Sequence, residues 1–95
     1  MTRETDIEIA RLAGSPEAPP YSEDLGAIME LVRHRWPDAV VRLSPFAAFL
    51  WNDWLAANVG SFAADPLGEG VGATDAERLA NAVLSALRRE QGVPW

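Results

Sequence analysis

The sequence predicts a single small domain of the α+β class, because two helical segments enclose one strand-like segment. Residues 74–92 have the clearest signature of an amphipathic helix, and residues 22–36 indicate a second one. Residues 39–43 (AVVRL) carry a β-branched pair between turn-forming flanks, which is typical of a strand. A chain of 95 residues makes one domain with a modest core. We expect residues 1–20 to form an N-terminal helix with a proline-rich loop and residues 21–91 to form the core.

The first segment, residues 5–13 (TDIEIARLA), fits a short helix better than a strand. Thr5 begins a Thr-x-x-Glu capping box, and the apolar residues that follow share a helical face. Ile7 and Ile9 alternate with acidic residues, so a strand stays the alternative. Residues 14–20 (GSPEAPP) are predicted to be a loop, because their three prolines remove backbone donors and fix the chain.

The second helix is predicted to begin at Ser22 as its N-cap, with Glu23 and Asp24 in the first turn. It should end before Pro37, because the residue before a proline avoids the helical region. His34 is the only histidine and lies off the apolar stripe, so we expect a solvated side chain rather than a metal ligand or a base. The predicted core residues of this helix are Leu25, Ile28, Met29, Val32 and Trp36.

Residues 44–62 allow two interpretations. In a helix, Ser44 would be the N-cap and Pro45 the first helical residue, and four alanines favour this structure. In a pair of strands, residues 52–53 would form a tight turn that brings the flanking tryptophans together. Local propensity favours the helix, and a mostly helical fold with one short strand is therefore the alternative to the α+β fold.

The glycine-rich segment 65–73 (DPLGEGVGA) is predicted to be a pliable loop or a strand edge. Its three glycines alternate, but no Gly-Lys-Ser/Thr follows them, and their spacing differs from that of a dinucleotide-binding loop. Glu69 would also repel a phosphate. The segment therefore does not indicate a phosphate site.

The last helix is predicted to hold the domain together. Thr74 and Glu77 have the spacing of a capping box, Gly92 is the expected stop, and Pro94 forbids continuation. One face carries its predicted core residues, namely Ala76, Leu79, Ala80, Val83 and Leu87. We expect this face to lie on a flat apolar surface formed by the rest of the chain.

Two stretches resemble the phage ABA-sandwich domain family. Residues 20–24 (PYSED) resemble the Tyr-Ser-x-Asp opening before the first core helix of that family, and residues 73–87 resemble its Thr-led, alanine-rich final helix. The resemblance covers residues 20–90, and it departs from the family in the Ala- and Trp-rich middle and in the first turn of the last helix, which lacks a proline. It implies a small antiparallel sheet covered by two to three helices, with residues 39–62 mostly in the sheet, in a phage or prophage protein. It implies no catalytic residue.

Composition argues against catalysis and against nucleic-acid binding. The chain has one histidine, no cysteine and no lysine, and the acids at the starts of its helices are explained by the helix dipole. Its net charge of −6 disfavours direct contact with nucleic acid. The first residues do not form a signal peptide, and no apolar run is long enough to cross a membrane. We expect a cytoplasmic, non-enzymatic protein, monomeric or homodimeric, that needs no cofactor or metal ion.

The acidic charge is concentrated in residues 1–30, which hold two arginines and seven acids for a net charge of −5. Such a face can compete for a surface that normally holds phosphates, so we expect a phage-derived protein that binds and inhibits a host protein, for example as an anti-CRISPR inhibitor. Trp95, which follows Pro94, would be a further anchor if it is exposed, and the alternative is that it tucks back onto the domain. The candidate partner-binding residues are Glu4, Asp6, Glu8, Glu23, Asp24 and Trp95.

Two other functions remain open at this point. One is a structural or housekeeping accessory of a phage. The other is a binder of a small anionic ligand, which would use Arg33, Arg35 and Arg42.

Overall fold

The computed structural model describes residues 2–51 and 67–91, with side chains from residue 4 onward. Within these ranges it contains three helices and one antiparallel sheet of three strands, which confirms the predicted α+β class. The elements in chain order are α1 (Thr2–Ala13), α2 (Leu25–Arg35), β1 (Val40–Leu43), β2 (Ala47–Trp51), β3 (Gly68–Val71) and α3 (Asp75–Gln91). The strands follow one another in the order β1-β2-β3.

The last helix lies at the centre of the domain. One side of α3 packs against the sheet, and α1 and α2 also pack against α3. Eight of its residues are buried, because a helix with neighbours on several sides needs apolar residues over most of its surface. They include all five residues of the predicted face, and Leu79, Val83 and Leu87 have no exposed area.

The predicted capping box at the start of α3 is present with a shift of one residue. The Glu77 N–H donates to the Thr74 hydroxyl oxygen at 3.2 Å, as predicted. The Glu77 carboxylate accepts from the N–H of Ala73 at 3.0 Å, whereas a capping box uses the N–H of the cap residue itself. Gly92 and Pro94 lie outside the described residues.

The helical interpretation of residues 5–13 is confirmed, but both of the predicted starts of the first two helices are wrong. The first helix already includes Thr2, so Thr5 lies inside it. The N-cap of α2 is Asp24, which has an extended backbone and accepts from the N–H of Ala27 at 3.2 Å. A turn explains the delay, since the N–H groups of residues 23 and 24 both donate to the carbonyl of Pro20. Ser22 lies in this turn and is buried.

The strand predicted at 39–43 is confirmed. Of the two interpretations of residues 44–62, the helix that local propensity favours is wrong where the structure describes them, and the strand that the resemblance implies is confirmed over Ala47–Trp51. A tight turn follows β1, in which the Ser44 hydroxyl oxygen accepts from the N–H groups of Phe46 and Ala47 at 3.3 and 3.0 Å. Ser44 therefore closes a hairpin instead of capping a helix, and β2 follows. The proposed turn at 52–53 and Trp54 lie outside the described residues.

The glycine-rich segment forms β3, which is an edge strand of the sheet in residues 2–51 and 67–91, and its glycines touch α3. A Cβ built on Gly68 would lie 2.8 Å from the backbone nitrogen of Ala86 and closer still to the carbonyl oxygen of Ala82. Gly70 meets the same helix one turn earlier. The alternating glycines thus let an edge strand lie directly on the helix backbone.

Candidate protein-docking surface

Three apolar side chains are exposed at the end of the sheet that carries the hairpin turn. Phe46 at the tip is 82% exposed, Val71 at the end of β3 is 67% exposed and Leu43 at the end of β1 is 40% exposed. The strand register places them at one end of the sheet but not on one face. Val71 lies opposite Ala47, the residue after Phe46, on the face away from α3. Leu43 lies opposite the next residue of β2, on the face towards α3. We call Leu43, Phe46 and Val71 the apolar end.

The backbone that carries the apolar end is held by specific hydrogen bonds. Besides the two bonds that it accepts, the Ser44 hydroxyl donates to the carbonyl of Ala47 at 3.0 Å. On the neighbouring strand, the side-chain amide of Asn81 donates to the carbonyl of Val71 at 2.7 Å and ties the end of β3 to α3. A surface whose backbone is fixed in advance loses less conformational entropy when it binds.

The face of the sheet away from α3 carries an aromatic row next to the apolar end. The rings of Phe49 and Trp51 stack with their centroids 5.9 Å apart. The guanidinium carbon of Arg42 lies 5.7 Å from the centroid of the Trp51 ring, within the range of a cation–π contact. The indole N–H of Trp51 is buried, and no residue of the structure accepts from it within the described parts of the chain.

The acidic residues predicted to bind a partner do not form one surface. Asp6 is 2% exposed and accepts from the backbone N–H of Ser22 at 2.8 Å, so it holds α1 to the turn before α2. This burial removes it from the accessible acidic face that the sequence suggested. Asp24 is exposed but caps α2. Glu23 is exposed.

Glu4 and Glu8 lie on the other side of α1 from Asp6, because two residues along a helix turn the side chain by about 200°. With Thr5, they line an open groove of about 330 Å³ that Leu84 and Arg88 of α3 complete. Glu8 forms an ion pair with Arg11. The hydrogen bond from Arg11 lowers the pKa of the Glu8 carboxyl, with smaller contributions from the charges of Arg11 and Arg88. Trp95, the last predicted residue, lies outside the described residues.

The arginines proposed for an anionic ligand have different surroundings. Arg35 donates to the Glu90 carboxylate at 2.8 Å, and the same carboxylate accepts from the indole N–H of Trp36 at 2.7 Å. Arg42 lies over Trp51, and Arg33 is exposed on α2. The described residues therefore do not unite the three guanidinium groups in one anion site.

A second groove, of about 410 Å³, runs beside α2 and includes the exposed His34. It is lined by Pro19, Tyr21, Ala27, Glu30, Leu31 and His34. In residues 2–51 and 67–91, no group of three histidines, cysteines or acids is placed to hold a metal ion. None of the helices described in these ranges is long and apolar enough to cross a membrane.

Comparison with protein-family models, with curated proteins and with solved structures finds no match for this chain. The resemblance to the phage ABA-sandwich domain family therefore stays a prediction.

The sequence analysis missed the apolar end, although one signal for it was present. Pro45 and Phe46 follow a β-branched strand and a serine, which is also the composition of a turn. A separate pattern, the period of two in the glycines, indicates a strand with one face closely approached by another backbone, and it concerns the packing of β3 rather than the apolar end.

Proposed function

We propose that this protein is a non-enzymatic binding module that docks on a partner protein through its apolar end. The observation that carries the proposal is the exposure of 82% of Phe46 at the tip of a hydrogen-bonded hairpin. A single exposed apolar residue is ordinary, but Phe46 is accompanied at this end of the sheet by Val71 on one face and Leu43 on the other, and a concentration of exposed apolar residues supports an interaction site. An aromatic side chain on fixed backbone is also a favourable anchor in an interface.

The surroundings of the ionisable residues support a role without catalysis. Asp24 and Glu77 accept hydrogen bonds at the starts of helices, and Glu90 joins α2 to α3. Asp6 is buried against the backbone. These carboxylates are accounted for by the fold, and His34 lies exposed on α2.

The narrower part of the proposal concerns the identity of the partner. A phage-encoded inhibitor that acts in the host cytoplasm on a host protein, such as a defence complex, fits the small size and the net charge of −6. Identification of the partner and of its bound state decides this part, and it also decides whether the protein acts as a monomer or a homodimer.

Affinity capture with matched variants tests the proposal. Tagged wild-type protein, Phe46→Ser and Ile7→Ser are incubated with one lysate, and the bound proteins are quantified by mass spectrometry. Ile7 is the control because it is an exposed apolar residue, 52% accessible, on α1 rather than on the sheet. We expect at least one protein that the wild type and Ile7→Ser retain equally and that Phe46→Ser loses. Equal retention of every bound protein by all three would refute docking through the apolar end.

A further inference from the structure

The hydrogen-bond pattern of the sheet determines which backbone groups of its edge strands have partners. The Ser44 N–H donates to the carbonyl of Ala47 at 2.9 Å, so these two residues are a hydrogen-bonded pair of the hairpin. In an antiparallel sheet, successive residues of a strand direct their N–H and C=O groups to opposite neighbours. Ala48 and Leu50 therefore direct theirs towards β3. In agreement, the carbonyl of Leu50 points to the β3 side, where it accepts from the N–H of Leu67 at 2.6 Å. Leu67 precedes Gly68, the register partner of Leu50, so the regular alternation of β3 begins at Gly68.

The same alternation leaves backbone groups of β3 directed away from the sheet. The two glycines of β3 lie opposite Ala48 and Leu50, whose backbone groups point towards β3. The N–H and C=O groups of both glycines therefore form hydrogen bonds inside the sheet. Glu69 and Val71 direct their groups outward, and the bond from Asn81 to the Val71 carbonyl confirms this direction. The remaining outward groups are the N–H and C=O of Glu69 and the N–H of Val71. In the described part of the chain none of the three has a partner.

The side chains at this edge leave it accessible. Glu69 and Val71 are exposed, and both lie on the face of the sheet away from α3, because the glycines between and before them face the helix. A short edge strand with a charged side chain resists pairing with most other strands. A strand that placed a like charge beside Glu69, or that buried its carboxylate without a partner, would pair unfavourably. Among the described residues, this edge therefore remains available to a strand whose side chains suit Glu69 and Val71.

We infer that β3 binds an extended segment of the partner protein, which adds a fourth strand to the sheet and carries an apolar and a basic residue two positions apart. The apolar residue would lie beside Val71 and the basic residue beside Glu69, since both positions share the outer face. The inference rests on the proposed function and names the chemistry of the segment that binds next to the apolar end. Val71 belongs both to the apolar end and to the edge of β3, so a strand added at this edge would lie next to the apolar end.

Charge complementarity favours a basic segment at β3 over other occupants. The chain carries a net charge of −6, which attracts a basic partner, and the exposed side chain in the middle of β3 is acidic. The opposite edge, β1, carries Arg42 at the corresponding place and would favour an acidic segment. A second copy is disfavoured, because pairing Glu69 with Glu69 or with Val71 of the other copy brings two carboxylates directly or diagonally opposite each other.

Amide hydrogen exchange on the full chain, measured by NMR, tests the pattern of the edge first. In the free protein, the Glu69 amide should exchange at least about tenfold faster than the amide of Gly70, which bonds to β2. Equal protection of both amides in dilute protein would show that the edge is already covered and would overturn the inference. Protection of Glu69 that rises with protein concentration would assign the edge to a second copy and would also overturn it.

Two peptides then test the chemistry of the added strand. The basic probe is acetyl-Thr-Val-Thr-Arg-Thr-amide, and the matched control has Glu in place of Arg. We expect the basic probe to slow exchange at Glu69 and Val71, and to bind on the order of threefold more tightly than the acidic probe, as cross-strand charge pairs predict. The Glu69→Arg variant should reverse this preference. No preference in either protein, or protection at Val41 and Leu43 of β1 instead, would overturn the inference.

Failure of this inference can be told apart from failure of the proposed function. A partner that Phe46→Ser loses and Glu69→Arg retains unchanged would leave docking through the apolar end intact and would refute strand addition at β3. A partner that both variants lose, together with reversed peptide preference, supports both. Ile7→Ser controls for the loss of an exposed apolar side chain elsewhere, and circular dichroism of Phe46→Ser and Glu69→Arg guards against a general loss of fold.

Discussion

Gly70 lies directly against the backbone of α3, where a Cβ built on it would be 2.6 Å from the carbonyl oxygen of Arg78 and closer still to the nitrogen of Ala82. Backbone atoms cannot move aside as the end of a flexible side chain can. We therefore expect Gly70→Ala to force β3 away from α3 and to lower the free energy of unfolding by about 3 kcal/mol, the upper range for overpacking. Chemical denaturation followed by circular dichroism measures this change.

Gly26→Ala is the matched control for that substitution. A Cβ on Gly26 would be 3.3 Å from the Oδ1 atom of Asp24, a side chain at the protein surface. Replacing a helical glycine by alanine stabilises a helix by about 0.5–1 kcal/mol when the space is available. Gly26 lies in the first turn, and the crowded Oδ1 atom is the one that caps α2, so part of this gain is offset. We expect a neutral or slightly raised unfolding midpoint. A loss as large as that of Gly70→Ala would show that the close approach of strand and helix is not the cause.

Substitution of Val83 tests the central position of α3. Val83 has no exposed area, and it lies in the helix that contacts both the sheet and the other two helices. Val83→Asp buries an unpaired charge and should cost several kcal/mol, roughly the whole stability of an ordinary domain. Circular dichroism should show an unfolded chain at room temperature, whereas Gln91→Asp at the exposed end of the same helix should unfold like the wild type. A cooperative transition at the wild-type temperature in Val83→Asp would contradict the described core.

We expect the buried Asp6 to stabilise the fold through the hydrogen bond that it accepts rather than through its charge. Asp6→Ala leaves the buried N–H of Ser22 without this acceptor, at a cost of about 1–3 kcal/mol. Asp6→Asn keeps an acceptor oxygen and should lose less. Thermal unfolding of both variants makes the comparison, and equal losses would argue against the hydrogen bond as the reason for the burial of this residue.

The Glu8 carboxyl should titrate below its ordinary range, because Arg11 donates a hydrogen bond to it. A pKa that is lower in the folded than in the unfolded chain contributes stability above the unfolded value, and this contribution disappears as pH falls through the folded value. The pair is exposed, so the effect on stability is small. An NMR titration should show the pKa of Glu8 rising in Arg11→Gln, and an unchanged titration curve would contradict the pairing.

The helices were predictable from sequence because local signals and tertiary packing agree there. Thr74 and Glu77 cap α3 close to the predicted pattern, and every residue of the predicted apolar face is buried. At the second helix the signal was degenerate, because Ser22 and Asp24 are both good caps. The turn that follows Pro20 selects Asp24, and a turn of this kind cannot be read from cap preferences alone.

The strands were harder to predict, because their stability comes from contacts that are remote in sequence. Ala47 and Ala48 favour a helix locally, but Ala48 is fully buried between α3 and its neighbouring strands. A serine before a proline fits a helix cap and a hairpin turn equally well, because in both structures its hydroxyl accepts from nearby N–H groups. The exposure of Phe46 depends on this turn, so the candidate docking surface could not be predicted without it.

The acidic residues illustrate a different limit. Charge counts identify an acidic segment, but they do not show which carboxylates serve the fold. Asp6 and Asp24 accept backbone hydrogen bonds, and Glu8 is paired with Arg11. Of the predicted acidic candidates, Glu4 and Glu23 remain as exposed charges without such a role in the described residues.

The most direct test of docking through the apolar end is the affinity of a captured partner for the wild type, Phe46→Ser and Ile7→Ser, measured by titration calorimetry at one salt concentration. If Phe46 anchors the interface, its substitution should weaken binding at least about tenfold, which corresponds to roughly 1.4 kcal/mol. Ile7→Ser should bind as the wild type does, and circular dichroism should show that both variants are folded. Affinities of all three proteins within about twofold of one another would contradict the account.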